Sequence, residues 1–80
     1  MYDTRISHWR RITAEARQKP GEWIDTGRLY TIAMARQLSS DIRHGRRIKG
    51  IQPGEQYEAE WFRSKDSDIM CEVFVRRSNI

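Results

Sequence analysis

Residues 26–49, TGRLYTIAMARQLSSDIRHGRRIK, constrain the fold more than any other stretch. They read as one amphipathic helix that runs straight into a basic exit. At roughly 100° per residue, Thr31, Ile32, Ala35, Leu38, Ser39 and Ile42 fall on one side, while Arg36, Gln37 and Arg43 fall elsewhere. Small residues (Ala35, Ser39) among large ones (Ile32, Leu38, Ile42) let a helix lie close on a sheet. Asp25 or Thr26 can accept a hydrogen bond from a first-turn amide, and Gly45 can take the left-handed conformation past the last turn. A helix of this kind needs a sheet to cover, and the rest of the chain must supply it.

Eighty residues make one domain, with an ordered core expected over about 4–77. At that size a single core is only just sufficient. Three Trp, three Tyr and two Phe supply much of the apolar mass, and large aromatics build a small core efficiently. Cys71 has no second cysteine to pair with, which fits a reducing compartment. No apolar run approaches a membrane span, and MYDTRISHWRR lacks the apolar centre of a signal peptide. A cytoplasmic protein without a membrane partner is the expectation.

Read in order, residues 4–18 form a first helix, with Ile6, Trp9, Thr13 and Ala16 at helical spacing and Pro20-Gly21 as its stop. GEWID at 21–25 reads as a short strand with Trp23 and Ile24 on opposite faces. After the central helix, Ile48 and Ile51 can anchor a short extended piece, and Pro53-Gly54 signals a turn. Residues 56–63 alternate, with Tyr57, Ala59 and Trp61 opposing Glu58 and Glu60. Residues 69–76 alternate again, and SKDSDI between them holds the loop of a hairpin. Arg77 to Ile80 reads as a frayed tail. The fold class is α+β: helix, strand, helix and β-hairpin, with a three-stranded antiparallel sheet and both helices on one face. The alternative is a winged-helix domain, in which the central helix breaks near Ala33–Arg36 and the hairpin forms the wing. The unbroken helical period over 28–43 favours the first arrangement.

Charge is segregated along the chain. Arg43, Arg46, Arg47 and Lys49 fall within seven residues that hold no acid, and they account for the whole net charge of +4. Residues 5–19 carry five bases against Glu15, whereas residues 55–72 carry six acids against Arg63 and Lys65. Such a layout suits an anionic partner on one side and equally suits head-to-tail self-association. Cations at a helix C-terminus compensate the helix dipole by about 0.3–1 kcal/mol each, which accounts for one or two of them and not for four. Arg43, Arg46, Arg47 and Lys49, supported by Arg10 and Arg11 and extended by Arg17 if it shares their side, are the candidate phosphate contacts. Nucleic acid is the first candidate partner.

Little else carries chemistry. Cys71 stands between apolar strand residues, where a structural thiol sits. His8 and His44 have no spacing that ties them to it, and one Cys with two distant His cannot complete a zinc site. Glu58, Glu60 and Glu72 read as acids on a solvated hairpin face. There is no phosphate-cradling glycine pattern or nucleophile elbow. A non-enzymatic protein without cofactor or metal is expected. The aromatics suggest a second kind of partner. Phe62 and Phe74 face away from Tyr57 and Trp61, so either the sheet is covered on both sides or an apolar patch is exposed. Tyr30, Trp61 and Phe62 are the candidates for binding a protein, and a homodimer could close over the same face. The opposite arrangement puts Phe62, Phe74 and Met70 under the second helix.

PGEW at 20–23, DIRHGR at 41–46 and PGEQYEAE at 53–60, followed by VFVRR, resemble a group of small orphan proteins encoded by actinobacteria and their phages. The resemblance covers roughly residues 9–77. It implies a phage or mobile-element origin and a host-cytoplasm setting, and it brings no activity, cofactor or catalytic residue with it. Phages use proteins of this size both to bind DNA and to seize host proteins, so a host protein stands beside nucleic acid as a partner.

Overall fold

The computed structural model describes residues 4–45 and 50–78, with side chains from His8 onward. Thr4–Gln18 form helix α1, Ile24–Thr31 strand β1, Ile32–Arg43 helix α2, Tyr57–Arg63 strand β2 and Met70–Arg77 strand β3. The strands make one antiparallel sheet in the order β1-β3-β2, so the last strand is the central one. The fold is α+β, as the patterning implies. The winged-helix alternative fails, because α2 runs without a break through Ala33–Arg36.

The central stretch itself divides differently from its sequence reading. Residues 26–31 are strand, and the helix starts at Ile32. Its N-cap is Thr31, whose Oγ1 accepts a hydrogen bond from Met34 N at 3.3 Å, and neither Asp25 nor Thr26 caps it. Two local preferences decide this. Leu29-Tyr30-Thr31 fit a pleated surface better than a helix, and Gly27 sits at φ +77°, a conformation that no helix interior contains. Asp25 Oδ1 instead accepts from Gly27 N at 2.8 Å, and this tight turn bulges the strand. Asp25 pairs with Phe74 and Leu29 with Glu72, so residues 26–28 all stand opposite Val73. At the other end Gly45 takes φ +68° and its N–H donates to Ile42 O, the helix stop expected there.

Both helices lie on one face of the sheet. The core is Ile12 and Ala16 of α1, Ala35 and Ile42 of α2, and Ile24, Tyr57, Ala59, Cys71, Val73 and Val75 from the strands. Ala35 and Ser39, both buried, are the small residues that let α2 approach. Val73, fully buried at the middle of the central strand, is held from every side. Val73→Ala should lower stability by about 2 kcal/mol, read from the urea midpoint, because such a site cannot collapse around the lost methyl groups. Ile24 joins the core, while Trp23 turns outward with the Arg76 guanidinium 4.5 Å from its ring centre. Of the expected frayed tail, Arg77 instead completes β3 and Ser78 N donates to Gln56 O at 2.9 Å, while 79–80 lie outside the described residues.

Register settles which face the helices cover. Ala59 pairs with Val75 and Trp61 with Val73 on the covered side; Phe62 pairs with Glu72 and Glu60 with Phe74 on the other. Phe62, Phe74 and Met70 therefore do not pack under the second helix. They stand on a face that neither helix covers.

Candidate functional site

Four cations, Arg43, Arg46, Arg47 and Lys49, were expected to gather where the central helix ends, with Arg10 and Arg11 in support. Arg46, Arg47 and Lys49 lie outside the described residues, as does Ile48. Arg43 is exposed, and its Nη2 donates to Ala59 O at 2.9 Å. β2 is an edge strand, so this bond also blunts a row of backbone groups that could pair with another chain. Beside it His44 holds Nδ1 2.8 Å from Ser40 O, one turn back. The helix end, Ile51 and Tyr57 enclose a cleft of about 160 Å³, smaller than the roughly 300 Å³ or more that drug-sized ligands occupy.

The return of the chain to α1 is held firmly. Arg17 donates through Nε to Glu55 Oε2 at 2.6 Å, and through Nη2 to Glu55 Oε1 at 2.8 Å and to Gly50 O at 2.9 Å. Gln52 N donates to the same Oε1, and Arg77 lies 3.5 Å from Oε2. These partners, Arg17 first, pull the buried Glu55 carboxyl from 4.5 down to about 2. Gly50 packs directly on α1: at φ +100°, a Cβ there would run into Thr13 Oγ1 and lie 3.2 Å from Arg10 Cα. The residue that follows Lys49 is thus fixed against Arg10. Arg17, counted from sequence as a possible phosphate contact, is instead occupied by this structural ion pair.

Arg10 and Arg11 are exposed, and neither has an ion pair with a described residue. The fold adds a cation that the sequence reading had placed on a helix. Arg28 rides the bulge of β1, exposed, and with Arg11 it lies close enough to His8 to depress its pKa, though burial of the imidazole is the larger cause. The Asp25-x-Gly27 turn was the local cue for this placement. Among the described residues the cations with carboxylate partners are Arg17, Lys19, Arg76 and Arg77, of which Arg17, Arg76 and Arg77 reach acids distant in sequence.

The second candidate set divides. Tyr30 pairs with Cys71 and Trp61 with Val73, so both stand on the helix-covered side and pack against the core. Phe62 alone of the three is on the open face, 52 % exposed and edge-on to Phe74 with ring centres 5.9 Å apart. Leu29, 46 % exposed, lies in the same cross-strand row as Glu72 and Phe62. Around these residues stand Asp25, Glu58, Glu60 and Glu72.

Cys71 is free and fully buried, without the exposure a reactive thiol needs. Among the described residues no three His, Cys, Asp or Glu side chains gather as metal ligands, and no helix is long and apolar enough to cross a membrane. No family model, curated protein or solved structure matches the chain. What the protein does has to be read from its own side chains.

Proposed function

We propose that this chain is a small binding protein, phage or mobile-element encoded and working in the host cytoplasm, that contacts nucleic-acid phosphates through the cationic side of α1 and the end of α2. One observation carries the reading. Arg10, Arg11 and Arg28 stand exposed without a carboxylate among the described residues, and Gly50 packs on α1 beside Arg10. Guanidinium groups with no ion pair among the described residues, two on α1 and one on the β1 bulge, suit phosphate oxygens, which accept two N–H donors at once. The mechanism is neutralisation of the backbone and release of its counterions, with α1 and α2 as a fixed platform. No side-chain set for reading base edges is evident, so contacts of this type position the protein without specifying sequence. The origin and setting come from the resemblance of the PGEW, DIRHGR and PGEQYEAE segments.

The test is a triple variant, Arg10→Ser/Arg11→Ser/Arg28→Ser, titrated against a fluorescent duplex. Binding should weaken alike for unrelated sequences, and the salt slope should fall by about 0.9 for each phosphate contact removed. Thermal stability should hardly move, since exposed substitutions of this kind change it by about 0.5 kcal/mol or less. Unchanged affinity and slope in the folded variant would rule out this surface.

The protein-binding alternative, a module that engages a host protein, has its own support in the uncovered sheet face. That surface is separate from the cationic one.

A further inference from the structure

Alternation along the strands sorts charge between the two sides of the sheet. Asp25, Glu58, Glu60 and Glu72 stand on the open face, where Arg76 is bound to Glu58 at 3.1 Å. The helix side is different. Each helix has one acid, and both are engaged: Glu15 with Lys19 at 3.7 Å, and the buried Asp41 with Gln37 Nε2 at 3.0 Å. Two further arginines join Arg10, Arg11 and Arg28 there. Arg36 is exposed on α2, two turns before Arg43, whose bond to Ala59 O places that side of the helix over β2. Arg63 is exposed at the end of β2, on the same side of the strand as Tyr57, Ala59 and Trp61. Neither has a carboxylate partner among the described residues.

These cations reach from one edge strand of the sheet to the other. β1 carries Arg28, α1 packs on β1 and β3, and α2 packs chiefly on β2 and β3. The edge strands are two spacings apart, about 10 Å. A single phosphate cannot meet guanidinium groups so widely spread, whereas a polymer presents a row of phosphates. Among the described residues, the same side offers no free ring on which bases could stack. Trp9, Tyr30 and Trp61 pack against the core. Phe62 and Phe74 stand on the open face, and Trp23 lies under the Arg76 guanidinium. Proteins that hold single strands combine a cationic groove with exposed aromatic platforms. Here the free cations and the exposed rings are on opposite sides.

We infer that the nucleic acid is a duplex laid across both helices, with Arg36 and Arg63 among the groups that hold its phosphates. The inference rests on the phosphate-contact reading and adds to it the form of nucleic acid bound and two contacts. Duplex phosphates need no stacking partner, and two strands present them at a higher charge density than one. DNA and RNA duplexes share this chemistry.

The test is a salt series of anisotropy titrations with a labelled duplex of mixed sequence and with each of its strands alone. DNA and RNA duplexes run in parallel tell which backbone is preferred. Five contacts, at a slope of about 0.9 per phosphate for a duplex and about 0.7 for a single strand, favour the duplex about tenfold at 0.1 M salt when the two are equal at 1 M. The wild type should show that preference. Arg36→Ser/Arg63→Ser should keep a native circular dichroism spectrum and lower the duplex slope by about 1.8. Glu60→Gln/Glu72→Gln changes the net charge by as much in the other direction, on the open face, and should leave the slope as it is. Equal or tighter binding of a single strand would overturn the inference. So would a slope that Arg36→Ser/Arg63→Ser leaves unchanged while Arg10→Ser/Arg11→Ser/Arg28→Ser lowers it, a result that spares the phosphate-contact reading. A wild type that binds neither form at low salt would overturn both.

Discussion

Glu55→Gln is expected to cost the fold about 3 kcal/mol at neutral pH. In the folded chain the Glu55 carboxyl titrates at about 2 against an ordinary 4.5, because Arg17, the Gln52 amide and Arg77 all favour its ionised form. At roughly 1.4 kcal/mol per tenfold change in proton affinity, that difference is about 3 kcal/mol of stability. The side chain is only 6 % exposed, so solvent screens little of it. The sign follows from the depressed value. The contribution is complete above pH 4.5, where the unfolded carboxyl is also ionised, and it is lost as pH falls from 4.5 towards 2. Urea unfolding at neutral pH should show the loss directly. Between those pH values the wild type should lose stability more steeply than Glu55→Gln, whose amide has no proton to gain. Equal urea midpoints for the two proteins at neutral pH would mean that the Arg17–Glu55 pair contributes nothing.

Gly50→Ala should be nearly as damaging, for a steric reason. Its backbone is in the left-handed region at φ +100°, where a non-glycine residue costs about 1–3 kcal/mol. The added methyl would also collide with Thr13 Oγ1, which is itself held by Trp9 O at 2.9 Å and Arg10 O at 3.1 Å and cannot easily rotate away. A loss of about 3 kcal/mol in chemical denaturation is the combined expectation. Thr13→Ser/Gly50→Ala should recover none of it, since Oγ remains. Thr13→Ala/Gly50→Ala should recover the part due to collision and leave the part due to backbone strain. The two sites act on one joint. Glu55 and Gly50 fix the chain to α1 immediately after the basic segment, so both variants should also weaken nucleic-acid binding before they unfold the protein.

The joint was invisible in the sequence. Arg17 and Glu55 are 38 residues apart, and no local pattern says which acid an arginine on a helix will meet. The elements themselves were legible where periodicity was clean. The first helix matches its expected span at both ends, because a helical apolar stripe met a Pro-Gly stop. The hairpin strands followed from their alternation, which also set the pairing of Ala59 with Val75 and Trp61 with Val73. The central stretch was legible only from Ile32 onward. Its helical period was extended backward through Tyr30 and Leu29 although Gly27 and the Asp25 turn favour a bulged strand. That one misreading moved Arg28 from a helix to a bulge beside His8 and Arg11, and moved Tyr30 onto the covered side of the sheet. Which sheet face is bare could not be read from alternation alone, since both faces carry aromatics. The small residues Ala35 and Ser39 and the reach of α2 over all three strands decide it.

Affinity for a labelled generic duplex, followed by fluorescence anisotropy over a series of salt concentrations, tests the central claim most directly. The phosphate-contact account predicts binding that weakens log-linearly with salt, at a slope of about 0.9 per phosphate neutralised and independent of sequence. No binding at the lowest salt, or binding that salt does not weaken, would contradict it.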